Sequence, residues 1–190
     1  MSLRSDVLDF LACDEATARS AFRDLLSDAV GDSDDHARGI DPHGLPRTRS
    51  AVAPPPTIAD VDGLTERDRR LIERVRLLDD APVGVTLCGP AYRDTPIRYA
   101  NRTFRELTGY SLAALRGRNP RLLQGPETGT APVEDLREAV SIWESVTVEV
   151  WNHRRDGTAF FNRVSLRPLP GDDGTITHWA AVQEAVDGPD

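Results

Sequence analysis

At 190 residues the chain has the length of one domain of ordinary size plus an extension, so a single core is expected. Its 23 basic residues are all arginine and face 31 carboxylates; the formal charge of -8 excludes a nonspecific electrostatic grip on nucleic acid, and no lysine is present. Cys13 and Cys88 follow no metal-ligand spacing, Met1-Ser2-Leu3-Arg4-Ser5-Asp6 lacks the apolar run of a signal peptide, and no stretch approaches ~18 consecutive apolar residues, so a cytoplasmic chain with reduced thiols is expected, off the membrane.

Residues 1–31 carry Leu3, Val7, Phe10, Leu11, Phe22, Leu25, Leu26 and Val30 at spacings of three, four and seven, which predicts one or two amphipathic helices in need of a partner surface. Over 32–60 the composition shifts to Asp, Gly, Arg and Pro, from Asp32-Ser33-Asp34-Asp35 to Pro54-Pro55-Pro56, and a flexible linker is expected. A leader helix follows within 61–81. Thr65 and Asp68 have the spacing of a helix start, and Leu64, Leu71, Val75 and Leu78 share a face. That helix suits equally a packing role in its own domain and a dimer or signalling role.

Residues 82–186 read as an α+β domain, and 187–190 as a tail. Short strands are predicted at 83–89 and 97–100, a helix from Asn101 to Thr108 ended by Gly109, and a short helix capped by Ser111. A longer helix then buries Val133, Leu136, Val140 and Trp143. Three antiparallel strands near 146–153, 158–168 and 175–185 are joined by Asp156-Gly157 and by Pro170-Gly171-Asp172-Asp173-Gly174.

Alternation along those three strands sets Asn152 with Val148 and Val150, Asn162 with Phe160 and Val164, and Gln183 with Trp179 and Ala181. Each strand thus points one amide at the apolar side of the sheet, where an unmet polar group costs ~1 to 3 kcal/mol. Either the amides bond one another or buried water, or they meet a planar ligand rich in heteroatoms. Asn119 and Gln124 add two further amides. Arg121 and Arg137 are guanidinium groups of the kind that hold phosphate.

With Gly117-Arg118-Asn119-Pro120-Arg121-Leu122-Leu123-Gln124-Gly125, the continuation Pro126-Glu127-Thr128, the two strand asparagines and Gln183 in place, residues 82–186 resemble the light-oxygen-voltage (LOV) domains of the PAS superfamily. The resemblance implies a five-stranded antiparallel sheet with short helices over one face, and noncovalent flavin mononucleotide, with flavin adenine dinucleotide as the other candidate. It also implies that Asn152 and Asn162 hold the pyrimidine edge, Gln124 a ring carbonyl, Asn119 the ribityl chain, and Arg121 and Arg137 the phosphate. Gln183 would sit beside N5 and O4 and transmit the signal. Two positions depart from the pattern: Leu122 replaces the usual phenylalanine, and Pro120 replaces the cysteine that forms the photoadduct. Capping by Asn119 makes Pro120 locally acceptable as a first helical residue.

The implied function is a blue-light receptor that signals through amino-terminal helices, as a homodimer or towards a partner protein. Thr86 and Cys88 share the strand face that the resemblance turns towards the ring. Cys88 is therefore the candidate for a relocated adduct thiol; the other route is photoreduction to the neutral semiquinone, with Trp143, Trp151, Trp179 or Tyr99 as donor. A redox- or ligand-sensing PAS module with no light role is the alternative reading. No nucleophile-base pair or metal cluster accompanies the site, and His153 alternates outwards, so an enzyme is not expected.

Overall fold

The computed structural model describes residues 2–31 and 63–189; the linker expected over 32–60 lies outside them. The sheet is antiparallel and five-stranded, in the order β2-β1-β5-β4-β3, with β1 at Gly84–Cys88, β2 at Ile97–Ala100, β3 at Val146–His153, β4 at Ala159–Pro170 and β5 at Ile176–Ala185. Strand β5, last in sequence, lies at the centre between β1 and β4. It is buried on both faces from His178 to Gln183. The α+β fold expected from the sequence is the fold observed.

The amino-terminal extension folds as α1 (Leu3–Ala12) and α2 (Glu15–Gly31), the two helices that the periodicity allowed. Helix α1 buries Val7, Leu8, Phe10 and Leu11 and packs on β4 and β5. Ion pairs Arg4–Glu184 and Arg167–Asp9 flank that contact. Its partner surface is thus the chain's own sheet. Helix α3 (Glu66–Leu77) covers β1 and β2 on the same outer face and buries Leu71, Ile72 and Val75, with Leu78 buried just past its end. From α3, Arg74 donates to the Cys13 carbonyl at 2.6 Å, setting a cation against the carbonyl end of α1. The sulfhydryl of Cys13 turns back to the Phe10 carbonyl at 3.2 Å, a packing role.

The opposite, concave face carries α4 (Arg102–Thr108), α5 (Leu112–Leu115), a 3₁₀ turn at Pro120–Leu123 and α6 (Thr130–Ile142). Gly109 ends α4 in the left-handed region at φ 74°, and Ser111 caps α5. Asn101, fully buried, fastens three elements together. Its carbonyl accepts from the N–H groups of Val85 (2.8 Å) and Phe104 (3.0 Å), and its amide donates to the carbonyls of Leu78 (2.8 Å) and Val83 (2.9 Å).

Two expectations need correction. Trp143 does not belong to the buried stripe of α6: the helix stops at Ile142, because the chain must turn there to enter β3, and Trp143 becomes its C-cap at φ 62°, 45% exposed. Strand β4 also runs past residue 168 to Pro170, with a register shift at Leu169/Pro170 that lets proline end an otherwise paired strand.

A buried hydrogen bond that no local pattern signals joins Asp68 of α3 and His178 of β5, with Nε2 to Oδ1 at 3.0 Å and both side chains nearly inaccessible. Asp68 also completes the capping box of α3: its Oδ2 accepts from the Thr65 N–H (2.8 Å) and hydroxyl (2.5 Å). Burial pushes the Asp68 carboxyl up, but the hydrogen bonds from His178 and Thr65 outweigh it and hold the group far below the usual carboxylate range. A carboxyl that titrates lower when folded lends stability in full above the unfolded carboxylate pKa and loses it as pH falls below. Asp68→Ala should therefore cost ~1 to 3 kcal/mol in denaturant unfolding near neutral pH, by leaving His178 Nε2 buried without its hydrogen-bond partner, and the deficit should shrink steadily as the pH is taken below the carboxylate range.

Candidate functional site

The concave face of the sheet and the helices opposite enclose a cavity of about 340 Å³. Apolar walls come from Val150, Val164, Leu166, Trp179 and Ala181 on the sheet, and from Leu123, Val133, Leu136 and Val140 opposite. Of the residues singled out in the sequence, Thr86, Cys88, Asn119, Arg121, Gln124, Arg137, Asn152 and Gln183 line this one space. Alternation along antiparallel strands brings them together: Gly84 pairs Gln183, Thr86 pairs Ala181, and Cys88 pairs Trp179 across β1 and β5.

Asn162 does not line the cavity but lies completely buried behind it. Its Nδ2 donates to Asn152 Oδ1 at 2.8 Å and to Gln183 Oε1 at 2.9 Å. Gln183 Nε2 reaches Thr86 Oγ1 at 3.3 Å, and Asn152 Nδ2 the Trp151 carbonyl at 3.1 Å. The three strand amides thus do bond to one another. Their chain fixes which end of each amide faces which neighbour, and it leaves two buried polar atoms without a partner, Asn162 Oδ1 and Trp179 Nε1.

At the other end, Asn119 caps the turn at Pro120–Leu123, accepting from the Arg121 N–H at 2.8 Å, with Pro120 in the first position. The Asn119 amide donates to the Asp94 carbonyl (2.7 Å) and to Thr95 Oγ1 (2.8 Å). Asp94 and Thr95 have φ of 66° and 43° and contribute to the cavity wall with Ala91. No motif in the sequence marks this loop. Arg121 pairs with Asp94, and Arg121 and Arg137 are both exposed at the mouth. The arrangement suits a flat, heteroatom-rich body against the amide wall with an anionic tail between two guanidinium groups.

Cys88 is 4% exposed, and burial pushes its thiol up to about 12 against the pull of Arg98, so it stays protonated. His153 points away from the cavity, as alternation required, and pairs with Glu127. Its ring lies over Gly125: a Cβ there would come within 2.2 Å of Nδ1. The second glycine of the 117–125 segment is required by this close approach, which seats the cavity loop against β3.

A five-stranded antiparallel sheet that holds a cavity between its concave face and short helices is the architecture of a small sensory domain of the PAS type. Residues 82–184 match the family model described as PAS domain, more than half of the chain, and the chain belongs to that family. It is similar to the blue-light LOV branch. It is 38% identical over 125 residues to the bacterioopsin transcriptional activator of Halobacterium salinarum, covering 66% of this chain and 18% of that protein. With a blue-light-activated histidine kinase of Rhizobium johnstonii it shares 43% identity over 90 residues, 47% of this chain and 26% of the relative. The chain thus spans well under two thirds of these curated relatives. Among solved structures, the light-state LOV domain of the blue-light photoreceptor Aureochrome1 superposes with a TM-score of 0.54 at 38% identity, over 58% of this chain and 86% of that one. A LOV domain studied with a flavin analogue gives 0.55 at 37% identity, over 58% and 82%.

Gly125→Ala should destabilise the domain by ~1 to 3 kcal/mol through overpacking. Adding His153→Ala should recover most of that loss, and a double-mutant cycle of thermal or denaturant unfolding measures the coupling.

Proposed function

We propose that the chain is a blue-light sensor that holds flavin mononucleotide in this cavity and passes its signal to the amino-terminal helices. The observation that carries the reading is the amide wall of Asn152 and Gln183, held in orientation by Asn162 from behind and by Thr86, set opposite two arginines across an apolar cavity. Asn152 and Gln183 would meet the polar edge of the ring, Gln124 a ring carbonyl, Asn119 the ribityl chain, and Arg121 and Arg137 the phosphate. Asn119 already spends its amide on the 94–95 loop, so its contribution is to hold that wall as much as to touch the ligand. The kinship with blue-light receptors supports the same reading. When bound, the flavin supplies light absorption in the blue and the capacity to accept an electron in its excited state.

In this reading the chain has a sensory output and no enzymatic one. Pro120 removes the thiol from its usual place, and Cys88 lines the cavity as a buried, protonated thiol. We therefore assign the photochemistry to reduction, and to Cys88 the filling of space beside the ring. The output path follows from strand alternation. Gln183 points into the cavity, while its neighbour Glu184 points outwards to Arg4 of α1 and to Arg163. A turned Gln183 amide exchanges partners with Asn162 and Thr86 and shifts the strand on which α1 rests.

The purified protein should be yellow, with a structured absorption band in the blue that bleaches reversibly on illumination; a colourless protein that stays colourless after incubation with flavin mononucleotide overturns the reading. Cys88→Ala should leave the light-induced change in place, and its disappearance would return the photochemistry to that thiol. Small-angle scattering of dark and lit samples at several concentrations should differ, through loosening of α1 or a change in dimerisation, and superimposable profiles would remove the proposed output.

A further inference from the structure

Trp179 forms part of the cavity wall and is 1% exposed, and its indole N–H has no hydrogen-bond partner. Trp143 stacks on it, with ring centroids 6.1 Å apart and planes within 17°, and is itself 45% exposed. Trp143 also occupies the C-cap of α6 at φ 62°, a left-handed conformation that favours glycine and is strained for a bulky residue. A large ring held half in solvent at a position suited to glycine indicates a use beyond packing.

We propose that Trp179 and Trp143 form a two-ring electron relay from the protein surface to the flavin cavity, an inference that rests on the flavin-sensor reading above. Trp179 gives one electron to the light-excited isoalloxazine and is left as the indole radical cation. Its N–H finds no acceptor among the described residues, so proton loss there competes poorly with refilling of the hole. Trp143 refills it by passing an electron across the stack. The resulting Trp143 radical cation loses its indole proton to water, because this ring is open to solvent, and a soluble thiol returns a hydrogen atom to it. The net change is one electron from the thiol delivered to the ring and one proton released to solvent, and the thiyl radicals left behind pair as disulfide. Separation of the charges over two rings slows their recombination. Trp151, tilted instead against Phe161 with ring centroids 5.2 Å apart and absent from the cavity wall, lies outside this route.

The test uses the full chain loaded with flavin mononucleotide, free of oxygen and with dithiothreitol as reductant. Trp143→Phe and Trp143→Gly are compared with Trp151→Phe; the glycine variant suits the left-handed position, so loss of folding does not obscure the result. All three should keep the dark absorption spectrum. Time-resolved absorption should show the neutral indole radical in the unaltered chain and in Trp151→Phe, and it should be lost in both Trp143 variants. Their yield of bleaching per absorbed photon should fall severalfold. Equal radical signal and yield in all four proteins overturns the relay, and a loss confined to Trp151→Phe reassigns the donor. A colourless protein would instead contradict the flavin reading.

Discussion

The register of β5 is the constraint on which the rest of this domain depends. The strand lies between β1 and β4, buried on both faces, and side chains alternate along it with a strict period of two. Trp179, Ala181 and Gln183 therefore face the cavity, while His178, Ala180 and Val182 face the helices outside. A slip of one residue would carry Gln183 to the outer face and His178 into the cavity, separating both from the partners that satisfy them. The hydrogen bonds to Asn162 and Thr86 on one side, and to Asp68 on the other, pin the same register from opposite faces.

Some of the polar groups buried in this domain serve the fold alone. Asn101 has all of its hydrogen-bonding capacity met by backbone within the fold, and Asp68 is met by His178 and Thr65. These side chains hold elements together. The wall of the cavity is different. Asn162 holds Asn152 and Gln183 in orientation from behind, and both of those amides still face the cavity. Amides of fixed orientation turned towards an apolar cavity are what a site ready for a ligand requires.

Much of this was legible in the sequence because it rests on local rules. Period-two alternation put Asn152 and Gln183 on the cavity side, capping chemistry anticipated the Asn119–Pro120 turn, and Gly109 closed α4 where expected. What escaped depends on contacts between distant segments. The Asp68–His178 pair joins residues 110 apart, and neither has a local pattern that betrays it. Trp143 continued the helical spacing of α6, so only the turn into β3 reveals that it ends the helix. The backing position of Asn162 depends on the depth of β4 in the sheet, which alternation does not report. The loop at Asp94 and Thr95 acquires its place from Asn119, a residue two dozen positions further along.

Helix α1 covers β4 and β5 from within the same chain. It acts there as a tethered ligand, present at an effective concentration of order millimolar for the surface it occupies. A free competitor for that outer face must outbind it, or wait until its hold weakens. Small changes in the strand beneath would then be read out as large changes in accessibility, because the resting competition is already close to balance whenever docking is modest. The packing that covers the apolar outer face of these strands thereby sets the threshold at which another surface can take its place.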